Sequence, residues 1–166
     1  GAKMLIDENS PNKMSPLTWT NSGIGRINPD GSKGACNACH SRHSFSKAQA
    51  RQPENCGKCH LGPDHPQKEI YEESKHGIAY YGNKDKLNLD SDPWIVGIDY
   101  YDAPTCATCH MTATSDMAST HDVGTRISWT LRPPISKYKD NALKKRQAME
   151  NVCLNCHQQP FVDGHY

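Results

Sequence analysis

Apolar positions are sparse along this chain and rarely periodic. Residues 1–35 are rich in Pro, Asn, Gly and Ser and sustain neither a 3.6-residue nor a 2.0-residue repeat. They predict an irregular approach with a turn at Asn28-Pro29-Asp30-Gly31. Ser44 to Arg51 has the spacing of a short helix stopped by Pro53. Residues 67–75 predict a second helix, with His76 at its end, where a cationic ring would meet the helix dipole, and Gly77 placed to cap it. Residues 82–104 predict a long polar loop carrying Trp94 and the pair Tyr100-Tyr101. Met111 to Thr120 is loop-like, and Pro133-Pro134 marks another irregular stretch. Lys139 to Asn151, dense in strong helix formers, is the best helix of the chain. No strand pattern stands out. The expected fold class is mostly α with extensive coil.

Composition makes that fold hard to stabilise by side chains alone. The 166 residues are 35% hydrophobic and include only 2 Phe, poor material for a protein-only core. No stretch approaches the roughly 18 apolar residues of a membrane span, and Gly1 begins without a charged-then-apolar leader.

The cysteines change the picture. All 8 fall into four Cys-x-x-Cys-His motifs: Cys36/Cys39/His40, Cys56/Cys59/His60, Cys106/Cys109/His110 and Cys153/Cys156/His157. Two thiols three residues apart can bond the two vinyl groups of one porphyrin, and the adjacent His then lies under the iron as its proximal ligand. Two alternatives compete. The interval between Cys39 and Cys56 suits a zinc ribbon, and eight cysteines suit a disulfide or dithiol scaffold. Neither requires a His directly after each second Cys. Four covalently bound c-type haems are therefore expected. The fold becomes a multihaem cytochrome c, a polypeptide wrapped around a haem stack: one domain over 1–166, with 1–35 as the approach and 36–166 carrying the sites. Eight propionates take the formal charge of +1 to about −7 with ferrous haems, or about −3 with ferric ones. Nucleic acid is excluded as a partner on that balance, and no basic binding motif argues for it. Covalent haem attachment belongs outside the cytoplasm, so a periplasmic or otherwise extracytoplasmic location is expected, with the chain either a mature product or a piece of a longer one.

Five histidines remain after the proximal four: His43, His65, His76, His121 and His165. Low-spin electron-transfer haems take a second axial ligand, often His. His43 lies too close to His40 to reach the same iron from the other side, so it would serve a neighbouring haem. His76 and His121 are the other candidate distal ligands, against the plainer reading of each as a surface or propionate-contacting His. Asp64-His65, bracketed by Pro63 and Pro66, reads in two ways. It is a proton-accepting pair beside an open iron, or a turn whose Asp caps the following helix. Trp19 is equally a porphyrin-facing or a core residue.

Longer runs resemble the octahaem hydroxylamine oxidoreductase family. They are Arg26 to Gly31, Cys36 to Ser46, Ala50 to Pro66, Ser74 to Gly77, Ala103 to Met111 and Thr120 to Pro134. The resemblance implies several electron-transfer haems and one catalytic haem, modified in oxidative members by a Tyr from a neighbouring subunit of a trimer. It makes Asp64 and His65 the distal catalytic pair and Cys36/Cys39/His40 the catalytic haem site. The haems at His60, His110 and His157 would pass electrons to a redox partner cytochrome. The implied substrate is a small nitrogen compound, hydroxylamine or hydrazine; reductive members act on nitrite or hydroxylamine. The chain departs from the family in having four attachment sites rather than eight, and in lacking a clear counterpart of the cross-linking Tyr. Tyr100, Tyr101 and Tyr166 suit packing or propionate contacts better. Either it is part of an octahaem enzyme or it is a tetrahaem protein built from the same module. A purely electron-conducting cytochrome, a shuttle or filament subunit, is the alternative.

Overall fold

The computed structural model of the protein describes residues 6–7, 10–14, 24–27, 31–64, 66–126 and 141–165. Among these residues, seven α-helices are joined by tight turns and one long wrapped segment, so the molecule is mostly helix and coil. A small hairpin in the N-terminal approach departs from that pattern. There β1 (Ile6–Asp7) pairs antiparallel with β2 (Ser10–Met14), matching Ile6 with Met14 and Asp7 with Ser10. A two-stranded ribbon rests on backbone pairing alone, so it leaves no alternating pattern to read, and Pro11 is tolerated because every strand in it is an edge. Beyond the hairpin, an antiparallel bridge between Ile27 and Lys33 flanks Gly31, whose φ is +80°. The rest of the expected turn, together with Trp19, His65, Pro133-Pro134 and Tyr166, lies outside the described residues.

α1 (Lys47–Arg51) is capped by Ser46, whose hydroxyl accepts from Gln49 N at 3.1 Å. Pro53 ends it by forcing Gln52 into an extended conformation (ψ 138°). It then opens α2 (Pro53–Cys56) from the first helical position, where its missing N–H costs nothing.

The next region corrects the sequence reading. The helix expected over 67–75 stops at Glu73 as α3 (Gln67–Glu73), and a second helix, α4 (Lys75–Asn83), follows it. Ser74 (ψ 159°) both ends the first, donating to Tyr71 O at 2.7 Å, and caps the second, accepting from Gly77 N at 3.1 Å. His76 therefore opens a helix rather than closing one, and the favourable dipole expected for it is reversed. Gly77 is not a cap. A Cβ there would lie 2.0 Å from Tyr71 O, so glycine lets the two helices meet at this corner.

Residues 87–104, expected as a polar loop, supply most of the core. Leu87, Trp94, Val96, Tyr100 and Ala103 are buried with Tyr80 of α4 and Ala107 of α5 (Cys106–His110). Trp94 stacks on Tyr100 with centroids 4.1 Å apart, and its indole N–H donates to Leu87 O at 2.6 Å. Arg51 lies over the indole, 5.0 Å from its centroid, and its guanidinium donates to Leu89 O and Ser91 O. Tyr100 then reaches Thr108 Oγ1 at 2.6 Å, which joins this ladder to α5. Buried rings spaced along coil carry no helical or strand period, so the pattern read as loop. α6 (Ala142–Cys153) matches the expected last helix, shifted two or three residues on, and buries Met149 and Val152. α7 (Gln159–His165), not expected from the sequence, buries Val162. Central α5 packs against α1, α2 and α6.

Candidate functional site

Each Cys-x-x-Cys-His motif closes one helical turn. The backbone N–H of His40 donates to Cys36 O at 2.9 Å, that of His60 to Cys56 O at 3.1 Å, and that of His157 to Cys153 O at 2.9 Å. The third motif is α5 itself, locked by a capping box between Thr105 and Thr108. Side chains three and four residues apart are neighbours on a helix surface, so each turn brings its two thiols and its imidazole close together. No two of the eight cysteines are joined in a disulfide. Among the described residues no group of three or more His, Cys, Asp or Glu is arranged to hold a metal ion, as a zinc ribbon would require.

The second motif is less evenly paired than its sequence suggests. Cys59, expected to hold a haem jointly with Cys56, is exposed together with His60, whereas Cys56 is half-buried. The reason is where α2 stops. Cys56 is its last residue and faces Cys106, while Cys59 falls on the turn beyond, held by its N–H donating to Cys56 O at 3.2 Å. Cys36 and Cys156 are likewise the exposed members of the first and fourth pairs.

The four turns follow one another in space as in sequence. Burial raises the Cys39 thiol pKa, and Cys56 of the second motif raises it further, with a smaller push from Cys59. Cys56 faces Cys106 of the third, and their interaction raises the pKa of Cys56 and lowers that of Cys106. Burial pushes Cys109 up to about 12, with Cys153 and Cys156 of the fourth motif adding to the rise. The imidazoles are held from the side. His40 Nδ1 lies 3.2 Å from Ser46 O. His110 has its pKa lowered by burial, while the backbone carbonyls of Arg126 and Val123 within hydrogen-bonding reach of its ring counter that shift. A carbonyl on one ring nitrogen fixes the tautomer and leaves the other free for a metal.

The fourth motif borders an open cleft lined by Cys153, Cys156, His157 and His76 together with Val96 and Tyr101. The rings of His76 and His157 lie with centroids 6.0 Å apart and planes 40° apart. Two imidazoles bound on opposite sides of one metal ion, each through a nitrogen about 2.0 Å away, place their centroids roughly 6 Å apart. Two thiols, two facing imidazoles and an apolar wall fit a covalently held haem. His76 comes into position because Ser74 starts a new helix one residue before Lys75.

The remaining candidates are spread out. His121 is exposed; burial lowers its pKa first, then the nearby charges of Lys33 and His40. His43 lies on an exposed turn. Asp64 is exposed on the turn after His60, which is pinned at both ends by Lys68 N donating to His60 O (3.0 Å) and Gly62 N donating to Glu69 Oε1 (2.9 Å). Asp64 does not cap α3, whose N-terminus has no side-chain cap.

Arg126 escaped the sequence reading. It is buried (3% exposed) and donates to Thr112 O at 2.8 Å and Ala118 O at 3.2 Å, with Thr108 O and Cys109 O each at 3.5 Å. Nothing in the local sequence marks it, because all four acceptors are backbone groups.

Thiols and an imidazole presented together from one helical turn are how c-type cytochromes hold haem through thioether bonds. The chain belongs to the multihaem cytochrome family described as "seven times multi-haem cytochrome CxxCH", which matches residues 29–166. Over 76% of its length it is 35% identical to a probable nitrite reductase-hydroxylamine oxidoreductase fusion protein of Kuenenia stuttgartiensis, of which it spans 19%. It superposes on a hypothetical multiheme protein with a TM-score of 0.67 at 26% identity, covering 99% of this chain and 46% of that one. Its TM-score to a reducing HAO-like protein complex of Kuenenia stuttgartiensis is 0.61 at 32% identity, covering 79% of this chain and 31% of that one. The chain thus spans less than half of each relative. Among the described residues no helix is long and apolar enough to cross a membrane.

Proposed function

We propose that this chain is a tetrahaem redox module of the hydroxylamine oxidoreductase type, with an open haem at His40 and electron-transfer haems at His60, His110 and His157. Cys56 and Cys59 hold the haem at His60, with Cys59 on its solvent side. His76 and His157 would together ligate the haem held by Cys153 and Cys156, which their 6.0 Å separation at the thiol-lined cleft supports. His121 and His43 are the remaining distal ligands. When bound, the haems supply one-electron redox chemistry and conduction between neighbouring sites.

The chain's own residues handle the protons. His65 accepts a proton from the N–H or O–H of hydroxylamine or hydrazine, the exchange for which imidazole is the side chain suited near neutrality. Asp64 orients the imidazole and stabilises its cationic form. The observation that carries this role is the turn itself: it is clamped at Gly62 and Lys68, and Asp64 is not spent on capping α3. Electrons leave to a redox partner cytochrome outside the cytoplasm.

A second direction is favoured by the names of two relatives, a probable nitrite reductase fusion and a reducing HAO-like complex. In that direction His65 donates protons to a nitrogen compound being reduced. His65→Ala tests the site in either case. Turnover with hydroxylamine as donor, or with nitrite or hydroxylamine as acceptor, should fall at least ~100-fold while the optical spectrum of the bis-His haems stays unchanged. Unchanged turnover, or one low-spin haem turning high-spin, would make His65 a ligand or a bystander and the chain an electron conduit.

A further inference from the structure

The chain contains two phenylalanines, and each lies face to face on an imidazole that follows a Cys-x-x-Cys pair. Phe45 stacks on His40 with centroids 4.3 Å apart and planes 6° apart. Phe161 stacks on His157 at 4.5 Å and 18°. Core packing does not place them. Phe45 is 57% exposed and Phe161 50% exposed, and on α7 it is Val162 that is buried.

The backbone holds Phe45 there at a cost. Its φ is +47°, a left-handed conformation that bulky side chains rarely adopt, and its N–H donates to Ser41 O at 2.9 Å. The same turn delivers Ser46 O to His40 Nδ1 at 3.2 Å. At the other end, Phe161 N donates to Gln158 O at 3.0 Å. The outer face of Phe161 carries His165 at 4.2 Å, whose Nδ1 lies 2.8 Å from Phe161 O. The phenyl ring is held between two imidazoles.

We propose that Phe45 and Phe161 are positioning residues that fix how His40 and His157 are rotated about their bonds to iron. They thereby set the axial-ligand plane at the first and last haems of the row. The proposal rests on the reading of these two histidines as proximal ligands. A ring bonded to metal through one nitrogen keeps one soft motion, rotation about that bond. A hydrogen bond at the other nitrogen restrains it in part, and a flat ring lying parallel alongside blocks the rest. Orientation of the ligand plane is a lever on a haem's electronic structure that acts without changing any ligand.

The test compares holo Phe45→Leu and Phe161→Leu with Phe45→Tyr and Phe161→Tyr. Leucine keeps apolar bulk but not the flat face; tyrosine keeps both. With covalent haem content unchanged, each Leu variant should broaden and shift the ferric electron paramagnetic resonance of one haem, its own, and the matching Tyr variant should restore the parent line. Leu spectra identical to the parent, or a change spread over all the haems, would overturn the proposal. His157→Ala tests the underlying reading separately. If it leaves the axial ligation of every haem intact, the ligand assignment fails, whatever Phe161 does.

Discussion

Arg126 places a permanent charge in the interior, and among the described residues the acceptors of its guanidinium are backbone carbonyls. Its guanidinium reaches Thr112 O and Ala118 O and sits against the carbonyl end of α5, where a cation meets the negative end of the helix dipole. It thereby ties the third attachment turn to the coil that follows it. Arg126→Ala would leave several buried acceptors unsatisfied and should cost about 2–4 kcal/mol in urea unfolding of the holo protein. Arg126→Lys should recover little, because an ammonium cannot span carbonyls on both sides as a planar fork does. A loss within about 0.5 kcal/mol, as for an ordinary surface change, would contradict this role. At this scale the sequence was half legible. The four Cys-x-x-Cys-His motifs could be read directly, because each is contiguous in the chain. The exposure of Cys59 beside a half-buried Cys56 could not, because it follows from where α2 ends. Arg126 could not, since its partners are main-chain atoms, and neither could the meeting of His76 with His157, which depends on how distant helices pack.

The corner between α3 and α4 shows what decides where a helix begins. Ser74 caps α4 through Gly77 N, and Gly77 lets α4 pass against Tyr71 O. This aims His76 into the cleft of the fourth motif. Gly77→Ala would drive a methyl group into a backbone carbonyl and should cost about 1–3 kcal/mol. The displacement of His76 should also perturb the Soret band of one haem, read by difference spectroscopy against the parent. A stable variant with an unaltered spectrum would show that the corner is not what positions His76. The sequence suggested a helix near the right residues, but Ser-x-x-Gly serves as readily for a stop as for a start, and the choice lies in the contact with Tyr71. The long segment 87–104 was misread for a related reason. Its rings are buried by stacking on one another and under Arg51, an arrangement with no period along the chain.

For the whole molecule, the small protein core and the file of attachment turns belong to one design. Tyr80, Leu87, Trp94 and Tyr100 make a compact cluster on one side of α5. The four motifs run past it in order, each electrostatically or sulfur-to-sulfur adjacent to the next. Apolar content of 35% is enough for that cluster and not for a full interior; haem supplies the remainder. Class and cofactor were legible because they are written in local chemistry. The order of sites in space was not, because contacts between successive motifs are made by folding alone.

The central claim is that one of four haems in this chain has an open face served by Asp64 and His65. The most direct measurement is the electron paramagnetic resonance spectrum of the ferric holo protein with and without hydroxylamine. Three low-spin haems that ignore the compound, and one high-spin haem whose signal changes on its addition, are expected. Four low-spin haems, unaltered by hydroxylamine, would contradict it and make the chain a conductor of electrons rather than a site of turnover.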